Sequence, residues 1–148
     1  MKKILPPILF LLTVTVMGTI CWGVGAPHIL AIPYTLIGIP VIIAGLVLSF
    51  LGSRLFKRIG TNIMTFDEPD ILVTEGLYRF SRNPMYLGFV VATIGFALLF
   101  GASIVSFFAV ILFILITDRW YIAFEEKHML VKFGTDYTDY CRNVRRWF

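Results

Sequence analysis

The chain has 148 residues and a mass of 16.8 kDa, the size of one ordinary domain. Hydrophobic residues make up 58% and charged residues only 15%, with a mean hydropathy of +0.85; water-soluble domains carry about 25% charge. The figures exclude a soluble domain, and 14 Phe, 6 Tyr and 3 Trp exclude a solvated coil. Glycine without a period and two cysteines exclude collagen-like and disulfide-stapled chains. What remains is an integral membrane protein.

The net charge of +4 and pI of 9.3 would suit a nucleic-acid partner, but the charges are in the wrong places for one. Basic residues fall in three groups: Lys2 and Lys3; Arg54, Lys57, Arg58, Arg79 and Arg82; and Arg119, Lys127, Lys132, Arg142, Arg145 and Arg146. Between them, Ile4–Ser53 and Asn83–Thr117 carry no formal charge. About 20 apolar residues cross a bilayer once, so the first stretch holds two crossings and the second holds two if one helix continues past its charged end. The expected spans are about 4–22, 30–51, 84–100 and 104–131, with turns at Gly23–Ile29 and Gly101–Ser103. Every Lys and Arg then lies on one side, which the positive-inside rule assigns to the cytoplasm together with both termini. The expected fold is all-α: a single polytopic membrane domain, 1–148, with four transmembrane helices and a cytoplasmic C-terminal cap. Its expected location is the cytoplasmic membrane of a bacterium or archaeon. Read instead as a signal peptide, the first run would be cut near Gly23–Ala26, and Pro27 argues against that. Cys21 and Cys141 fall at opposite faces and do not pair.

The loop from Gly52 to Asn83 contains a turn-like acidic patch, Asp67-Glu68-Pro69-Asp70. It closes on Asn83-Pro84, where a favoured N-cap precedes a favoured first helical residue, so the third span begins there. The free N–H groups of that helix end offer a seat for a carboxylate or phosphate. The fourth span is apolar only from Ile104 to Thr117, about 21 Å of helix against a ~30 Å core. Asp118 and Arg119 therefore either face the protein interior or form a snorkelling rim anchored by Trp120 and Tyr121. At helical spacing Asp118, Tyr121 and Glu125 share one face, and Arg119, Ile122 and Glu126 the next. The tail, with Tyr137, Tyr140 and Arg145-Arg146-Trp147, has by composition the character of an amphipathic segment on anionic lipid.

Taken in order, Gly76-Leu77-Tyr78-Arg79, Arg82-Asn83-Pro84-Met85-Tyr86-Leu87-Gly88, a tight apolar hairpin, Glu125-Glu126, Phe133-Gly134 with Tyr137 and Tyr140, and Val144 with Arg146-Trp147 resemble one group. It is the integral-membrane methyltransferase superfamily of isoprenylcysteine carboxyl methyltransferases and phospholipid N-methyltransferases. The resemblance covers residues 70–148; in the first half only Gly45-Leu46-Val47-Leu48 looks like the family's small-residue helix segment. It implies an S-adenosylmethionine-dependent enzyme, its cofactor at the cytoplasmic ends of the last two spans, the tail folded over it, and a lipophilic acceptor entering from the bilayer. The implied cofactor residues are Arg82, Asn83, Pro84, Tyr86, Gly88, Glu126, Tyr137 and Tyr140. Glu125 and Arg146 are the implied catalytic residues, Glu125 as the base for an amine acceptor and Arg146 as the motif arginine. The family commonly has His where Asn83 stands, so no base is available at that position, and Arg145 replaces a proline of the tail motif. Two other functions compete, an NADPH-dependent sterol-type reductase and a noncatalytic scaffold or small transporter. The lipid bilayer and a lipophilic small molecule are the expected partners, and no metal site is expected.

Overall fold

The computed structural model describes residues 5–23, 25, 27–60 and 71–148. Lys2, Lys3 and the acidic patch at Asp67–Asp70 lie outside the described residues. Helix α1, Pro6–Gly23, opens on two prolines, whose missing N–H groups cost nothing in a first turn. It is apolar all round and buries only Pro6, Phe10, Met17 and Cys21, a stripe turned inward, while its other faces stay exposed for lipid. A 3-10 turn at Tyr34–Ile37 leads into α2, Gly38–Ile59. Gly60 ends α2 in the left-handed conformation, its N–H returning to Phe56 and Lys57, and Lys57 and Arg58 suit the negative end of the helix dipole.

Helix α3, Pro84–Leu99, begins at the expected residue and runs antiparallel to α2. The two are fitted together through small residues: α2 buries Gly38, Gly45, Ser49 and Gly52, and α3 meets them with Gly88, Ala92 and Gly95. A Cβ on Gly45 would strike the Ala92 nitrogen and the Gly88 carbonyl oxygen, and one on Gly88 would sit 2.5 Å from the Gly45 oxygen. Main chain therefore packs on main chain, the way helices associate where lipid supplies no hydrophobic drive.

The turn after α3 leads into α4, Ile104–Ile116, capped by Ser103, whose side chain accepts the Ser106 N–H at 3.1 Å. The chain continues without a break through a π turn, Thr117–Ile122, into α5, Ala123–Asn143. Within α5, Gly134 adopts φ 53 and ψ −117, which bends the helix into two halves. At the far end the two connections meet: Ile29 and Leu30 donate to the Gly101 carbonyl at 2.8 and 3.0 Å, and the His28 ring bonds the Phe100 carbonyl at 3.0 Å.

Among the described residues, three helices are long and apolar enough to cross a membrane: Pro6–Gly23, Tyr34–Ile59 and the 40-residue Ile104–Asn143. The second runs eight residues past the expected end at Leu51 because its charged last turns stay helical. The third expected span, α3, has 16 residues, about 24 Å at 1.5 Å per residue, and is the short member of the set.

Candidate functional site at the charged end of the bundle

The geometry of the site starts in the π turn. Two residues eight apart on a regular α-helix point about 80° away from each other. A π turn holds one extra residue and takes back about 100°. Asp118 and Glu126 are thereby brought to within about 20° of one line, which corrects the expected pairing of Asp118 with Glu125. Tyr121 and Ile122 are buried between them. Arg119 is 83% exposed and, among the described residues, pairs only with Asp118, at 3.5 Å, so of the two charged residues Asp118 turns inward and Arg119 forms the rim.

The aligned carboxylates receive one arginine between them. Arg146 donates from Nε and NH2 to Glu126 and from NH1 to Asp118 at 3.2 and 3.3 Å. Arg82 reaches Glu126 from the other side at 3.2 Å. Two cations thus balance two anions. The hydrogen bonds to Glu126, and secondarily the attraction of Glu126 and Asp118, hold the Arg146 guanidinium protonated above its already high ordinary range. The Trp147 indole completes the clasp, donating to Asp118 at 2.9 Å.

Helix α3 begins as the Asn83-Pro84 pair foretold, but Asn83 does not cap it. Its backbone N–H donates to the Ser81 hydroxyl at 3.1 Å, and its side-chain amide donates to the Arg146 carbonyl at 3.0 Å. The Arg82 N–H donates to the Arg145 carbonyl at 3.0 Å. The asparagine therefore joins the tail to the loop before α3 instead of closing the helix end. Further along the tail, the Tyr140 hydroxyl donates to the Tyr78 carbonyl at 2.7 Å. The bend at Gly134 makes this possible. Its φ/ψ combination is one that only glycine adopts without strain, and a Cβ there would meet nothing within 4 Å, so the requirement is conformational.

These contacts surround a cavity of about 270 Å³, near the lower end of the ~300–1,000 Å³ of small-molecule sites. Its walls are Leu5, Pro6 and Pro7 at the start of α1, Phe56 at the end of α2, Val73, Tyr78, Arg82 and Asn83 of the loop, Met85, Tyr86 and Phe89 of α3, Glu125, Glu126 and Met129 of α5, and Tyr137 and Tyr140 of the tail. Burial holds the Tyr78 phenol well above its ordinary range, so this wall stays neutral. Glu125 accepts the Tyr86 hydroxyl at 2.6 Å and, among the described residues, has no cation paired with it. The Arg82 Nε is buried and, among the described residues, has no hydrogen-bond partner.

Of the residues expected from sequence, Arg82, Asn83, Tyr86, Glu125, Glu126, Tyr137 and Tyr140 converge on this cavity. Pro84 is buried at the start of α3, beside Gly52. Gly88 lies on the α2 contact, away from the cavity walls, and Arg146 is bound to Glu126 and Asp118 without lining them. Sequence reasoning missed Phe56 and the start of α1. Phe56 stood one turn before a C-terminal glycine and was findable as a helix-end aromatic; Leu5, Pro6 and Pro7 gave no signal, since only packing brings α1 there. Among the described residues no group of His, Cys, Asp and Glu has the arrangement of a metal site.

A family model for phospholipid methyltransferase matches residues 34–136. A protein-S-isoprenylcysteine O-methyltransferase of Schizosaccharomyces pombe is 32% identical over 77 residues, which is 50% of this chain and 31% of that protein. The protein-S-isoprenylcysteine O-methyltransferase B of Arabidopsis thaliana is 33% identical over 79 residues, 53% of this chain and 39% of that protein. An uncharacterized protein of Haemophilus influenzae is 38% identical over 63 residues, 43% of this chain and 98% of its own length. The aligned part is thus well under half of either curated methyltransferase. No solved structure matches. Because the family match takes in more than half of the sequence, from the turn before α2 to the second half of α5, the chain belongs to the phospholipid methyltransferase family.

Proposed function

We propose that this chain is an S-adenosylmethionine-dependent methyltransferase acting on a lipophilic acceptor at the cytoplasmic face of the membrane. One observation carries the reading: a single cavity joins two carboxylates, a guanidinium with an unanswered buried donor, aromatic walls and the apolar start of a membrane helix. The chemistry of the donor set fits the cofactor. S-Adenosylmethionine presents a carboxylate, an ammonium, a sulfonium and an adenosyl group. The orphaned Arg82 Nε lacks an acceptor, which a carboxylate supplies, and the N–H groups at the start of α3 add to the same seat. Glu126, already steadied by two arginines, and Glu125 supply negative charge to a cationic ligand. Tyr86, Tyr137 and Tyr140 provide faces for the adenosyl group and the sulfonium.

When bound, S-adenosylmethionine supplies an electrophilic methyl group for in-line displacement. The chain's part is positioning and exclusion of water. Tyr137 and Tyr140, carried over the cavity by the bend at Gly134, shut out solvent; Leu5, Pro6 and Pro7 present an apolar wall to a lipid-soluble acceptor. A carboxylate acceptor needs no base. An amine acceptor loses a proton, and Glu125, hydrogen-bonded by Tyr86 and without a paired cation among the described residues, is placed to take it.

Calorimetry of the purified protein with S-adenosylhomocysteine and with NADPH tests this. Saturable binding of S-adenosylhomocysteine is expected. Binding of NADPH alone would make the protein a reductase, and binding of neither would favour a scaffold.

A further inference from the structure

We propose that Asp118 is the keeper of the C-terminal tail, a positioning residue that locks residues 144–147, through Arg146 and Trp147, against the loop and helix that wall the cavity, so that a ligand enters and leaves only when this clasp opens. The clasp stands on geometry alone; its consequence for ligand exchange rests on the cofactor reading above.

A carboxylate on a helix this apolar is expensive and needs partners. Asp118 is 19% exposed, and apart from the rim residue Arg119 its donors are Arg146 and Trp147, both from the tail. With the tail displaced, only the exposed Arg119 would remain among the described residues. The free energy of satisfying Asp118 is therefore tied to where the tail lies. The indole of Trp147 is held at the same time by packing on two core clusters, one of Tyr86, Tyr121 and Ile122 and one of Phe10, Val90, Ala92 and Phe113, so the clasp ends against the core that also holds the cavity-lining Tyr86. Only the π turn lets Asp118 share Arg146 with Glu126, so one side chain serves both the cavity and the tail. The bonds from Arg82 and Asn83 tie the carbonyls of Arg145 and Arg146 to the loop that lines the cavity, and upstream Tyr140, bonded to Tyr78, makes the tail itself a wall. The bend at Gly134, with open space around it, is the joint about which that wall would swing.

The test compares the parent, Asp118→Asn and Trp147→Phe as full chains in lipid nanodiscs, first with no ligand. Trypsin cuts after Arg145 only when that segment leaves the loop, because the Arg145 carbonyl accepts the Arg82 N–H. Asp118→Asn weakens charge-assisted bonds and should speed this cut about tenfold; Trp147→Phe, which loses one bond and keeps the ring, should give a smaller increase. Cleavage after Arg58 should keep the parent rate. Parent-like cleavage after Arg145 in both variants would overturn the clasp, as would equal acceleration at Arg58, since that means general loosening. S-Adenosylhomocysteine should then leave Asp118→Asn about tenfold faster than the parent, and an unchanged rate would overturn the role in exchange. Faster cleavage together with no binding to the parent would support the clasp and count against the cofactor reading instead.

Discussion

Glu126 shows how much a single side chain is asked to do. It receives Arg82 on one oxygen and Arg146 on both, and it also lines the cavity. Replacing it with Gln keeps the shape and leaves two guanidinium groups facing a neutral amide. Hydrogen bonds to charged groups are worth about 1.5–3 kcal/mol each, so Glu126→Gln should weaken S-adenosylhomocysteine binding at least tenfold and also lower the melting temperature. Arg82→Ala should weaken binding similarly, as it removes the orphaned donor. Parent-like affinity in both variants, measured by calorimetry, would place the cofactor elsewhere. Arg146 offers a sharper comparison. Its planar fork spans Glu126 and Asp118 at once, which a lysine ammonium cannot do. Arg146→Lys should therefore reduce methyl-transfer turnover tenfold or more. Arg142→Lys should do little, because Arg142 is exposed and bonds only Asp139. Equal losses at the two positions would mean that the tail acts through its charge alone.

At the scale of elements, the sequence was most legible where a local rule was strong. Asn83-Pro84 marked the start of α3 to the residue, whereas Gly134 stood out only as part of a motif and its bend went unread. The glycines at 38, 45 and 52, and at 88 and 95, recur every seven residues and so share a helix face; that signal for the α2–α3 contact was present and only its Gly45 portion was used. The π turn was not legible. Its extra residue looks like any other in a helical run, and it exchanges which acid stands in line with Asp118. Asn83 misled for a related reason: its capping propensity is local, whereas its actual partner is a carbonyl 63 residues away. The glycine face allows a decision about Gly88, which the family motif associates with the cofactor but which packs on Gly45 and Ser49. Gly88→Ala places a methyl group 2.5 Å from main-chain atoms of α2. Overpacking of this kind costs about 1–3 kcal/mol, so the variant should melt earlier while its folded fraction binds S-adenosylhomocysteine normally. An affinity loss at unchanged melting temperature would move Gly88 into the cofactor site.

For the whole molecule the open quantity is orientation. The charged end and the uncharged end are opposite ends of one bundle: the start of α1, the end of α2 and the start of α3 meet at the cavity, whereas His28, Ile29 and Leu30 meet Phe100 and Gly101 at the other. That arrangement requires α3 to carry the chain from one end to the other despite its 16 residues. A helix about 6 Å shorter than a ~30 Å core is accommodated by local thinning of the bilayer or by the flanking turns, at fractions of a kcal/mol per ångström. Packed along α2 through its glycines, α3 is also shielded from lipid on that face. On the proposed reading, the positive-inside rule puts the cavity end in the cytoplasm, and this can be tested. In a parent with Cys21 and Cys141 replaced, single cysteines at His28 and at the exposed Ile104 should react with a membrane-impermeant maleimide added to intact cells, and one at Lys57 should react only after lysis. The pair of outside positions matters because the two turns are hydrogen-bonded to each other, so both must be labelled or neither. Labelling at Lys57 from outside would invert the protein and carry the cavity with it to the external face, where a cytoplasmic cofactor does not reach. Labelling at His28 but not at Ile104 would break the end-to-end course of α3.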